Sequence, residues 1–174
     1  MRLFTLFFSL FFVLAARGQD STSHIEYYQG KHNRYKIKYH EGSVYFSNEK
    51  AIFTWKDNTV DWQSVYEITM TDKDIRRLFL DAISPYVKGA PLNDENDYFH
   101  LFFYYDLTGK IDNVIFCWNR QLNIPFSVFE ALEEKLKKET RIGIKPRYVK
   151  ADTSGVICIQ LSISYYLMDY FSPE

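Results

Sequence analysis

Four histidines, two cysteines and a scatter of serines and carboxylates are the side chains of this sequence equipped for chemistry. His24, His32, His40 and His100 show no HxH or HExxH spacing and no cysteine at ligand spacing. A zinc or hydrolytic metal centre therefore has no donor set to build on. His100 falls inside an aromatic run, where a ring packed in a sheet is the plainer reading. Cys117 and Cys158 lack the CxxC spacing of a redox pair. Ser127, Ser162 and Ser164 sit in no nucleophile-elbow context, and the 7 glycines form neither GxGxxG nor a phosphate-cradling loop. Asp72 and Asp74, and Asp94, Glu95 and Asp97, offer oxygen ligands to a hard cation, but without the loop spacing and glycine of a calcium site they read as solvated turns. The expectation is a protein that binds rather than catalyses, with no cofactor and no metal; a hydrolytic enzyme ranks last.

The elements that would position a binding surface are clearest between Tyr98 and Tyr165. Tyr98 to Tyr105 and Ile111 to Trp118 are aromatic and β-branched runs separated by Asp106, Leu107, Thr108, Gly109 and Lys110, the signature of a hairpin. Asp106 is expected to cap the turn, and Gly109 to take positive φ. Ser127 with Glu130 reads as a capping box opening a helix to about Glu139. Its Val128, Phe129, Leu132 and Leu136 would face a core, and Glu133, Glu134, Lys137 and Lys138 water. Val156 to Tyr165 is a last strand, with Ile157, Ile159, Leu161 and Ile163 alternating against Cys158, Gln160, Ser162 and Ser164.

Upstream, Asp20 to Asn33 reads as a polar leader. Tyr35, Ile37 and Tyr39 alternate with Lys36 and Lys38, and turns at Glu41-Gly42 and at Ser47 to Glu49 predict two or three short antiparallel strands, with one more between Val60 and Met70. Thr71 would cap a helix whose stripe is Ile75, Leu78, Phe79, Ala82 and Ile83, ending at Pro85 and Gly89. Gly89 to Asp97 reads as a linker. The fold class is α+β: a small antiparallel sheet in a module of order α-β-β-α-β, preceded by short antiparallel N-terminal strands. The divisions are 1–18 signal peptide, 19–34 leader, 35–70 N-terminal strands and 71–174 module.

A hydrophobic fraction of 47% with 25% charged residues supports a packed core, and a net charge of −1 gives no electrostatic case for nucleic acid. Aromatic residues, at 18%, are the one departure from average composition; Tyr can line either a sheet face or a binding surface, and a β-rich core with half-exposed Tyr is the plainer reading. Arg2, the apolar run from Leu3 to Ala16, and the small residues about Ala16 to Gly18 have the pattern of a cleaved secretory signal; the run is short of the roughly 20 residues that span a bilayer. The chain is read as exported, periplasmic or secreted, without a membrane span after cleavage.

The string Gly109, Lys110, Ile111, Asp112, Asn113, Val114, in the order helix, strand, strand, helix, strand, resembles the C-terminal domain of TonB, the periplasmic energy transducer. A second echo is the strand from Gly155 to Ile163, after a stretch holding Pro146. The likeness covers residues 71 to 165 and departs from the family in lacking an uncleaved anchor and a Pro-rich spacer, with only 5 prolines in the chain. It implies that the last strand is an exposed edge accepting a peptide as an added strand, which here means Val156, Ile157, Cys158, Ile159, Gln160, Leu161, Ser162 and Ile163. The partner would be a protein or peptide in the envelope. The alternative is an envelope structural or inhibitor-like protein whose aromatic N-terminal strands form the contact. In an all-antiparallel module the first hairpin strand must be central, which sets Cys117 and Cys158 on opposite strands about 9–10 Å apart, beyond the roughly 7 Å reach of a disulfide. The two thiols are expected to stay free, and the oligomeric state is left open.

Overall fold

The computed structural model describes residues 23–51, 59–70, 72–88, 92, 97–119, 122–148 and 155–171. Its hub is the hairpin of β5 (Tyr98–Tyr105) and β6 (Ile111–Asn119). Asp106 caps the turn as its position requires: Oδ1 accepts from the Thr108 N–H at 2.8 Å, the Thr108 hydroxyl at 2.7 Å and the Lys110 N–H at 3.0 Å. Burial would raise this carboxyl, but those donors outweigh it and hold Asp106 below the usual carboxylate range. Gly109 takes φ +80°, and its missing Cβ leaves room for the Ile142 carbonyl.

Three strands precede the hairpin: β1 (His24–Gln29), β2 (Arg34–His40) and β3 (Ser43–Asn48). The polar stretch 19–34 thus contains a strand, although β1 is exposed along most of its length. Glu41 and Gly42 join β2 to β3 with φ of 47° and 81°, the paired positive values of a tight hairpin. Tyr35 and Ile37 are buried while Lys36 and Lys38 are exposed, as the alternation requires. The last long strand, β8 (Ile159–Tyr166), pairs with β5. One antiparallel sheet results, in the order β1-β2-β3-β6-β5-β8. β5 lies between β6 and β8, and the N-terminal strands join beyond β6 rather than beyond β8. A small second sheet pairs β4 (Tyr66–Thr69), which follows the short helix α1 (Trp62–Val65), with β7 (Gly143–Pro146).

Helices α2 (Asp72–Val87) and α3 (Phe126–Glu139) provide the apolar stripes that face the sheet, and the short α4 (Met168–Phe171) follows β8. Phe129 stacks on Trp118 at 4.3 Å between ring centroids and lies 5.2 Å from Phe116; Phe79 stacks on Tyr165 at 4.7 Å. Ile75, Leu78, Phe79 and Ile83 are buried as their spacing predicts. α2 runs through Pro85 to Val87 rather than ending there, which delivers Val87 to the core. Pro85 lacks the N–H that would bond the Asp81 carbonyl, but both residues lie on the exposed side of the helix, only two positions from its end at Val87. The cap expected at Thr71, most of 89–97 and the signal segment 1–18 lie outside the described residues.

Two expectations for α3 are corrected. No capping box forms: Pro125 is the N-cap, without a side-chain cap bond, and Ser127 lies inside the first turn. Glu130 turns across to the β1–β2 turn, where its carboxylate accepts the N–H groups of Lys31 at 3.0 Å and His32 at 3.1 Å. It is only 6% exposed, yet burial, which would raise its carboxyl, is outweighed by these N–H groups and by the nearby His32, and the carboxyl is held low. Glu133 does not face water but is 2% exposed, with Lys137 Nζ 2.8 Å from its Oε1. Burial and, next, the Glu133 carboxylate push the Tyr35 hydroxyl well up.

Candidate functional site

Among the described residues β8 forms one margin of the large sheet, antiparallel to β5 on the side away from β6, which is itself paired to β3. Its register sets Leu161 against Phe103, Ile163 against Leu101 and Tyr165 against Phe99 on the helix side; Gln160, Ser162 and Ser164 lie opposite Tyr104, Phe102 and His100 on the other. Ile159 and Tyr165 are buried. Leu161 and Ile163 are only half-buried, although their partners Phe103 and Leu101 are fully covered. The apolar layer thins at this margin. From Ile159 to Tyr166 the strand has no charged residue and no proline, the usual devices that blunt an edge.

Of the residues expected to form the edge, Ile159, Gln160, Leu161, Ser162 and Ile163 lie in β8, while Val156, Ile157 and Cys158 precede it. The alternation breaks there: Ile157 is 44% exposed, and Val156 and Cys158 are buried. The cause is an anchor one residue upstream, where the Gly155 carbonyl accepts from the Thr59 N–H at 2.9 Å and hydroxyl at 3.0 Å, and the side chain of Val60 fills the space a Cβ would need. At its other end the strand runs one residue past the expected Tyr165, to Tyr166.

The face of the sheet opposite the helices adjoins this margin. His100 Nδ1 lies 2.6 Å from Ser164 Oγ, and the Tyr98 ring stands 4.5 Å from the imidazole. Sequence spacing had no means of joining His100 to Ser164, since strand register alone brings them together. Burial lowers the His100 pKa, which keeps the ring neutral near pH 7 and suits it to a hydrogen bond rather than an ion pair. Cys117, opposite His100, has its thiol pushed up by burial, and Tyr45 beside it rises to about 12, chiefly by burial and then through Cys117. A thiol held protonated is a poor nucleophile. Asn113 is 1% exposed with neither amide atom hydrogen-bonded.

Cys117 and Cys158 are both buried, and neither is in a disulfide. Cys117 is level with His100 and Cys158 adjoins the partner of Tyr105, so the strand length between His100 and Tyr105, about 17 Å, adds to their lateral separation. Asp72 is ion-paired with Arg76, the backbone carbonyl of the buried Asp97 accepts from Leu167, and Asp94 and Glu95 lie outside the described residues. Among the described residues no cluster of three His, Cys, Asp or Glu side chains is placed to hold a metal, and no helix is long and apolar enough to cross a membrane. A groove of about 300 Å³ between α2 and α3 is lined by Ala82, Tyr86, Val128, Ala131 and Lys135.

Fold and margin together define an α+β protein, an antiparallel sheet of six strands with its long helices packed on one face and an uncharged strand at one border. No family model matches the chain, and no curated protein matches it. A solved structure, a DUF5043 family protein from Bacteroides uniformis, is similar, with a TM-score of 0.58 and 14% identity over 86% of this chain and 89% of that one. At that identity the likeness is one of fold, and no relationship to TonB is shown.

Proposed function

We propose that this chain is an exported, non-enzymatic binding module that takes a protein or peptide partner in the envelope as an added strand along β8. The observation that carries the reading is the margin itself: β8 is uncharged and free of proline, and Leu161 and Ile163 are half-buried beside fully buried neighbours. An incoming strand would supply main-chain hydrogen bonds and complete the apolar layer, the mode that the TonB-like string implies. Export rests on Arg2, the apolar run Leu3 to Ala16 and the small residues to Gly18. A photo-crosslinking side chain at Gln160 in the native envelope should capture a discrete partner, and the same group at Tyr27, on the far border, should not. Recovery of abundant bulk proteins alone at Gln160 would remove the reading. The aromatic-surface alternative is favoured by Tyr27 and Ile25, exposed on β1; discrete capture at Tyr27 with none at Gln160 would establish it instead.

A further inference from the structure

Resting on the reading that β8 takes an added strand, we propose that the strand completing this border is β8 of a second copy of the chain, antiparallel about a two-fold axis at Ser162. In an antiparallel pair, residues directly opposite point to the same face. An occupant must therefore place apolar side chains opposite Leu161 and Ile163 and small polar ones opposite Ser162 and Ser164. β8 itself has that pattern. With Ser162 on the axis, Leu161 meets the second copy's Ile163, Ile159 meets its Tyr165, and Gln160 meets its Ser164. Every pair is apolar on the helix side and polar on the other, and no charge opposes a like charge.

At the end of β8, Tyr166 is 51% exposed and would be covered where the second copy's chain enters its own β8. The other border of the sheet is unsuited: β1 carries His24 and Glu26, paired at 3.0 Å. A β1-to-β8 contact would also be head-to-tail and would not close, whereas β8 on β8 closes as a dimer. Among the described residues the joined sheet would end in the two β1 strands, whose charges discourage further edge pairing.

The test is sedimentation velocity on the chain across about 1–100 μM, with Ser162→Lys and Ser162→Glu variants. Ser162 is exposed and on the face without helices, so neither change disturbs the core. The wild type should be dimeric, each variant should dissociate at least about 10-fold more readily because like charges face each other across the axis, and an equimolar mixture of the two should recover the dimer. Variants that stay dimeric, or a mixture that does not recover, overturn the pairing. A monomeric wild type that still captures a different partner through Gln160 overturns the second-copy proposal and leaves strand addition standing; a monomeric wild type that captures nothing removes both.

Discussion

Replacing Gly30 by alanine should destabilise the protein through Glu130, a residue a hundred positions away. A Cβ at Gly30 would stand 2.5 Å from Glu130 Oε1 and 2.7 Å from both Cδ and Oε2. The backbone can accept alanine, because the glycines with positive φ are Gly42 and Gly109. The carboxylate must therefore move, and its bonds to Lys31 and His32 break. Hydrogen bonds to a charged acceptor contribute roughly 1.5–3 kcal/mol each, and the lower end suits a turn near the surface, giving about 3 kcal/mol for the two. Alanine returns about 0.5 kcal/mol by restricting the unfolded chain, so the net cost is about 2.5 kcal/mol, or roughly 5–10 °C in Tm for a chain of this size. Glu130→Ala alone should cost about 3 kcal/mol. In that background Gly30→Ala meets no carboxylate and should be neutral or slightly stabilising, so the double variant costs about 2.5 kcal/mol, against about 5.5 kcal/mol for additive sites. Urea unfolding of the four proteins, with hydrogen exchange at the Lys31 and His32 amides, reads the cycle, and additivity within about 0.5 kcal/mol would refute the contact. The pH dependence has a definite sign. The folded carboxyl lies low, so the contribution of Glu130 is present above its unfolded value of about 4.3 and is lost as pH falls through the folded value. The gap between wild type and Glu130→Ala should close in acid.

Gly109→Ala should cost about 3 kcal/mol or more, because φ of +80° disfavours a Cβ and the obstructing atom is the Ile142 backbone carbonyl rather than a mobile side chain. Faster exchange at the Ile142 amide, which bonds the Gly109 carbonyl at 3.0 Å, should accompany the lower Tm, and a wild-type Tm would refute it. Thiol titration of the unreduced, unfolded protein should find both Cys117 and Cys158 reactive; a count of none would contradict the strand order that separates them.

What the sequence determined by itself was local. Alternation at Tyr35, Ile37 and Tyr39, the Asp106 to Gly109 turn, and the Ile75, Leu78, Phe79, Ile83 stripe each state a period and a face, since side-chain direction follows from backbone geometry within a few residues. The central place of β5 also followed, from chain direction alone. Tertiary structure decided the destinations of polar groups and the limits of the sheet. Glu130 had a local use as a helix cap and Glu133 a local reading as a solvated face. Glu130 instead serves the distant 31–32 turn, and Glu133 is buried with Lys137 as its ion-pair partner, raising the Tyr35 hydroxyl through its charge, because burying α3 brings these residues toward β1 and β2. The border likewise depends on where β3 pairs: had it added beside β8 rather than β6, the same residues Ile159 to Tyr166 would read unchanged and form an interior strand. Periodicity sets which side of a strand is apolar, and only long-range pairing decides that, among the described residues, β1 and β8 stand at the borders.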